Sequence, residues 1–285
     1  MPPFIHKPRR KAVLVAAGAL VLVLLGALAG SVVLLSGAYS TAATTQHFRL
    51  THWLLDTGLR YSVRTNARNI EVPALDAPGM IQRGASCYQS YCVQCHGAPG
   101  IARDEGGRGM LPIASNLAQS ARDWPPRWLY YVTKKGVRMS GMPAWEFRMS
   151  EESLWSTVAF LGSLPLLTRE EYLDAISKTS PEQCTPPSEA PITLTKDYAK
   201  VAFRQYACDS CHRIEGVVGP DSRVGPPLFD WSKRKYIAGV VPNTHENLVR
   251  FIRAPHAVAP GTLMPDLDVV EPHAIEMAAY LLALE

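Results

Sequence analysis

The chain has 285 residues, 47% of them apolar, and a formal net charge of +4, which gives room for about two domains. Lys7, Arg9, Arg10 and Lys11 carry that whole surplus, and from residue 12 onward 25 basic and 25 acidic residues balance. No basic domain remains to hold nucleic acid, and no low-complexity tract suggests disorder.

Residues 12–35 are 24 consecutive uncharged residues, rich in Leu, Val, Ala and Gly. That length spans a bilayer as a helix. The basic cluster before it predicts a cytoplasmic N-terminus, with everything after Leu35 on the outer, periplasmic side of the membrane. A cleaved signal peptide is the alternative, since Ala27-Leu28-Ala29 offers an A-x-A site. The apolar run exceeds the usual signal core, however, so an uncleaved anchor over 1–45 is expected. The Gly26 to Gly30 spacing would allow close helix approach. Residues 46–77 then read as a juxtamembrane amphipathic segment. Phe48, Trp53, Leu54, Leu55 and Leu59 mark one side, and Arg60, Arg64 and Arg68 recur every fourth residue. Such a helix either lies at the interface, with Trp53 and Tyr61 in the aromatic belt, or packs on its own domain.

A first soluble domain is expected over 78–167. A helix over 80–91 leads into Cys92-Val93-Gln94-Cys95-His96, which returns as Cys208-Asp209-Ser210-Cys211-His212. C-x-x-C-H is the attachment site of c-type haem. Two cysteines three apart let each sulfur reach one vinyl group, and the histidine that follows can bind iron from beneath. A zinc site would bring its C-x-x-C pairs within about 15–20 residues, whereas these lie 116 apart. A thioredoxin-like pair would need a βαβ setting that neither motif has. Two covalently bound haem c groups follow, with His96 and His212 as iron ligands. Each imidazole would donate its other ring N–H to an acceptor.

A methionine thioether suits the sixth position. Met142, 46 residues after His96, sits in Ser140-Gly141-Met142-Pro143, with Met139 and Met110 as rivals and core filling as the duller alternative. Helices are expected over 124–137 and 151–162, the second capped by Ser150. Residues 168–191 read as a connector, with a short helix over 166–176 and four prolines from Pro181 onward. The second soluble domain, 192–285, repeats the plan: a helix over 196–206, the motif, Met264 before Pro265, and a closing helix over 272–284 in which Met277 packs. The duplication argues for two similar domains.

This layout resembles class I cytochrome c domains, twice over, and implies an all-α fold behind one N-terminal transmembrane helix. In that family a helix before the haem motif crosses the closing helix. Gly84 and Tyr88 against Phe160 match that crossing, and Phe203 with Tyr280 match it more loosely. The resemblance names the Pro226 carbonyl as acceptor for His212, and Pro112 more weakly for His96. The second domain also resembles the cytochrome c domain of bacterial haem–copper oxidase subunit II, in Val224-Gly225-Pro226-Pro227-Leu228, Arg234 to Gly239, and Pro260 to Pro265. That likeness implies Arg234 beside a haem propionate; a solvated charge is the alternative. No copper-binding cluster of an oxidase subunit II is visible.

The expected function is single-electron relay by a membrane-tethered dihaem cytochrome. It would serve redox protein partners, to or within a terminal haem–copper oxidase, and would not itself be an enzyme. The alternatives are the cytochrome subunit of a periplasmic dehydrogenase, or a dihaem redox enzyme with Cys184 as thiolate ligand. Cys87 and Cys184 could instead form a disulfide, since the predicted compartment is oxidising.

Overall fold

A computed structural model describes residues 8–188 and 196–284. His6 and Lys7 of the basic cluster, and the expected boundary at 191–192, lie outside the described residues. The chain divides into two compact units, residues 1–54 and 55–285.

The first unit contains α1, Pro8–Leu35. Its Lys11–Leu35 span has a mean hydropathy of 2.8, long and apolar enough to cross a membrane. Unbroken Leu, Val and Ala favour helix, and no charge interrupts them. Helix α2, Arg49–Asn66, follows. Its early apolar residues Leu50, Trp53, Leu54 and Leu55 are exposed, whereas Val63 and the adjoining Ala67 are buried. Arg60 pairs with Asp56 at 2.8 Å and lies 5.9 Å from the Trp124 ring. The C-terminal half of α2 therefore packs on protein.

In the second unit, α3 (Met80–Cys87) runs into a π-helical turn, Tyr88–Cys92, and then α4, Val93–His96. The helix expected over 80–91 is thus present and continues through the motif to His96, with a π turn in its second half, and such single π turns often mark functional sites. Short helices α5 (Glu105–Arg108) and α6 (Leu117–Asp123) lead to α7, Pro126–Lys135, with proline in its first turn. Helix α8, Glu151–Ser163, starts where Ser150 accepts from the Ser153 amide at 3.1 Å. Its Trp155 stacks on Tyr130 at 4.0 Å.

Helices α3 and α8 cross very closely. A Cβ on Gly84 would lie 1.9 Å from the Ser156 carbonyl oxygen and 2.8 Å from the Phe160 Cβ. Tyr88 meets Phe160 edge-on at 5.4 Å. The stretch expected as a connector belongs to this core. Helix α9, Arg169–Ser177, starts with a Thr168–Glu171 capping box, and its Tyr172 is fully buried. Cys184 is disulfide-bonded to Cys87. That bond removes Cys184 as a thiolate ligand.

A second core follows. Helix α10, Lys196–Gln205, packs against the closing helix α13, Glu271–Leu282. Ala199 and Ala202 of α10, and Ala274 and Ala278 of α13, are buried, and Phe203 meets Tyr280 at 5.8 Å. Between them come the hairpin β1–β2 (Tyr236–Ile237, Val241–Pro242), α11 (His245–Arg253) and α12 (Pro255–Val258). The fold is mostly helical, as expected, with that two-stranded antiparallel hairpin as the departure from all-α. Met277 is buried in the second core.

Candidate functional site

Each C-x-x-C-H motif lies just after the first helix of its core, so the histidine faces a loop that returns beneath it. The Nδ1 of His96 lies 2.8 Å from the Ser115 carbonyl oxygen, and the Nδ1 of His212 lies 2.7 Å from that of Pro226. A carbonyl can only accept, so both rings carry a proton on Nδ1, which leaves Nε2 as the nitrogen that could bind a metal. For His212 this is the acceptor the resemblance named. For His96 it is Ser115, not Pro112, because the returning loop meets the ring three residues later than expected.

Glycines make room for this approach. A Cβ on Gly225 would lie 2.5 Å from the His212 Cε1, and one on Gly107 would lie 2.5 Å from the Gln94 carbonyl oxygen, under the first motif. The tyrosine hydroxyls of both crossings clamp the chain after the histidine. Tyr88 donates to the Gly97 carbonyl at 2.5 Å, and Tyr280 to that of Glu215 at 2.6 Å. Burial lowers the His96 pKa, opposed by its Ser115 bond, and so favours the neutral ring. A cavity of about 560 Å³ adjoins His96, lined by Tyr88, Arg103, Leu117 and Leu164 among others.

The methionine loops share one device that sequence reasoning missed. The Met142 amide donates to the Ser140 hydroxyl at 3.2 Å, and the Met264 amide to the Thr262 hydroxyl, also at 3.2 Å. The signal was available as hydroxyl-x-Met-Pro in both loops. Gly136, with φ of +65°, lets the first loop fold back: a Cβ there would lie 2.6 Å from Pro143. Met142 and Met264 are partly buried against their respective cores, whereas Met139 is 94% exposed. Met110 touches the same loop, since its methyl would lie 2.1 Å from a Cβ on Gly141.

Arg234 is not a free solvated charge. Its guanidinium sits 4.4 Å from the centroid of the Trp231 ring and donates to the Pro227 carbonyl, one residue after the His212 acceptor. Asn243 holds that segment, accepting from the Trp231 indole and donating to the Trp231 and Arg234 carbonyls, each at 3.0 Å.

The donor chemistry fits iron porphyrin. Cys92, Cys95, Cys208 and Cys211 are unpaired, and each pair precedes a histidine whose outward nitrogen has no protein partner among the described residues. Burial pushes the Cys92 and Cys208 thiols up to about 12, so neither is poised as a thiolate in the folded chain. Among the described residues no cluster of three or more His, Cys, Asp or Glu suits a bare metal ion.

Comparison with known proteins points the same way. Residues 79–161 match the family described as cytochrome c oxidase, cbb3-type, subunit III. The chain is 29% identical over 120 residues to a protein named cytochrome c oxidase subunit 2 from Alkalihalophilus pseudofirmus, an alignment covering 42% of this chain. The chain spans about a third (33%) of the length of that curated relative. No solved structure gives a significant match. The stretch from 79 to 161 is a cytochrome c family domain, a type that carries covalently bound haem c and transfers electrons.

Proposed function

We propose that this protein is a membrane-tethered dihaem c-type cytochrome. It relays single electrons on the periplasmic side of the cytoplasmic membrane, to or within a terminal haem–copper oxidase. One observation carries the reading. The same pair of hydrogen bonds, histidine Nδ1 to a carbonyl and methionine amide to a hydroxyl two residues earlier, is built in both cores, one beside the C-x-x-C-H motif and one in the methionine loop. In this reading Cys92 and Cys95 tether one haem c and Cys208 and Cys211 the other. His96 and Met142 ligate the first iron, His212 and Met264 the second.

Haem c held this way supplies a one-electron iron couple whose potential is raised by methionine ligation. The chain's own groups set the geometry. The Ser115 and Pro226 carbonyls fix the rotation of the two imidazoles, and Ser140 and Thr262 fix the backbone from which each thioether projects. Arg234, stacked on Trp231, offers its remaining N–H groups to a propionate. His96 with Met142, and His212 with Met264, would hold each iron from both sides and leave no vacancy for a substrate, which favours a relay over an enzyme. Anchoring by α1 would keep the relay at high effective concentration beside a membrane partner.

Two experiments test this. A pyridine haemochrome assay is expected to count two haems per chain, retained after acid-acetone extraction of the denatured protein; a count of one, or extractable pigment, overturns the dihaem reading. Affinity purification from membranes is expected to bring oxidase subunits with it. Recovery of dehydrogenase subunits in their place overturns the partner assignment.

A further inference from the structure

We propose that the junction between the two cores is an internal electron bridge, with Gln205 as the residue that positions the Met142 loop against the segment entering the second haem motif. The inference rests on the dihaem reading above.

Two short segments meet there, one next to a proposed iron ligand, Met142, and the other next to a proposed haem attachment, Cys208. Ala144, two residues after Met142, donates its amide to the Gln205 Oε1 at 3.2 Å. Gln205 stands three residues before Cys208. One hydrogen bond therefore joins the proposed ligand loop of one site to the end of α10, the helix that leads into the attachment motif of the other. A second contact runs in parallel. Arg148 donates through Nη2 to the Gln205 carbonyl at 2.6 Å and lies 5.9 Å from the Tyr206 ring.

The junction is held by aromatic packing. Phe147 follows the Met142 loop in sequence, yet it packs with the second core. Its ring stacks on Tyr198 at 5.2 Å and sits 5.1 Å from His273. Tyr206 donates to the Phe147 carbonyl at 3.1 Å. Its single proton is then spent, so at 2.8 Å it accepts from the His273 Nδ1–H, and Tyr198 donates to Nε2 at 3.0 Å. Every hydroxyl and ring nitrogen of Tyr198, Tyr206 and His273 is thereby paired, while the buried Nη1 of Arg148 has no hydrogen-bond partner. Small polar interfaces within a chain permit domain motion by default. A buried aromatic plug with paired hydroxyls restricts that freedom and fixes the spacing of the two sites.

The electron balance is simple. One electron is lost at one site and gained at the other, no covalent bond forms or breaks, and no proton has to move. An external one-electron donor and acceptor begin and end the sequence.

The test uses the full chain carrying both haems. In Gln205→Ala, flash-initiated equilibration between the haems is expected to slow about tenfold or more, because small displacements carry large rate penalties. The methionine–iron absorption band of each site should remain. Gln205→Glu keeps an acceptor oxygen for the Ala144 amide and should retain the wild-type rate. Should Gln205→Ala not fold, Arg148→Lys, which keeps the charge but loses the fork, reads the same junction and should slow equilibration. Calorimetry should also resolve one unfolding transition into two when the junction is cut. An unchanged rate in the alanine variant, or equal slowing in the glutamate variant, overturns the bridge. A wild-type haem count of one overturns the function itself, and is seen before any variant is made.

Discussion

The two cores build the same pair of contacts beside their proposed haem ligands on different scaffolds. In the first, α3 and α8 cross at Gly84 with backbone nearly in contact, and the Cys87–Cys184 disulfide encloses 97 residues of separation. In the second, α10 and α13 cross through alanines, the described cysteines lie only in the motif, and the centre is a buried histidine between two tyrosines. Yet histidine Nδ1 meets a carbonyl at 2.8 and 2.7 Å, and methionine N–H meets a hydroxyl at 3.2 Å in both. What recurs is the set of contacts beside the ligands, while the means of stabilising each core has diverged.

Removing the disulfide should break that comparison most strongly. A loop near 100 residues loses chain entropy worth about 4–5 kcal/mol when it is cross-linked. The double variant Cys87→Ser/Cys184→Ser is expected to lose about that much in denaturant unfolding. With the junction intact the two cores unfold together, so Trp145 and Trp155 in the first core and Trp231 in the second should report the same loss. A loss confined to Trp145 and Trp155 would show that the cores unfold separately and that the junction does not couple them.

The second core has its own lever in His273. Burial, aided by the nearby Arg148 charge, lowers its pKa to about 4. The groups facing it are Tyr198, Tyr206, Phe147 and Arg148. Its folded pKa lies below the unfolded value of about 6.5, so below that pH the unfolded chain binds more protons. Stability is then complete above about pH 6.5 and falls as pH drops towards 4, by up to about 3 kcal/mol at 1.36 kcal/mol per unit. His273→Gln should flatten that slope in a pH series of urea midpoints. A slope unchanged by the substitution would move the acid sensitivity elsewhere.

Gly84→Ala tests the tighter crossing. Its methyl would meet the Ser156 carbonyl at 1.9 Å, and overpacking of this kind costs about 1–3 kcal/mol. The matching change in the second core, Ala202→Gly, should cost about 1 kcal/mol through chain entropy. Thermal midpoints of the two variants compare the scaffolds directly.

Gly84 was legible because the resemblance to class I cytochrome c domains implies a helix crossing, and this glycine, eight residues before Cys92, lies on the helix that makes it. The motifs and Ser150 as a cap were fixed by residues close in the chain, and the Pro226 acceptor was implied by the resemblance. Other features depend on what the chain meets far away. Ser115 displaced Pro112 because loop length, not residue type, decides which carbonyl reaches the imidazole. The Cys87–Cys184 pairing stayed open since spacing carries no distance, and it joined a supposed connector to the first core. Phe147 inside the second core, and the π turn at Tyr88–Cys92, had no local signal at all.

The smallest effect is the sharpest probe of the shared geometry. Ser140→Ala and Thr262→Val each leave a methionine amide without its hydroxyl acceptor. The loss of such a bond is worth about 1 kcal/mol, or about fivefold in an equilibrium constant. Each variant should therefore be displaced at its methionine by added imidazole at about a fifth of the wild-type concentration, read from the methionine–iron absorption band of that site. Equal shifts at the two sites would mean that the hydroxyl acts locally, whatever core stands behind it. A shift at Ser140 alone would tie the device to the first scaffold, where Gly136 folds the loop back onto Pro143. Thr262 would then be a turn residue whose likeness to Ser140 is one of spacing only.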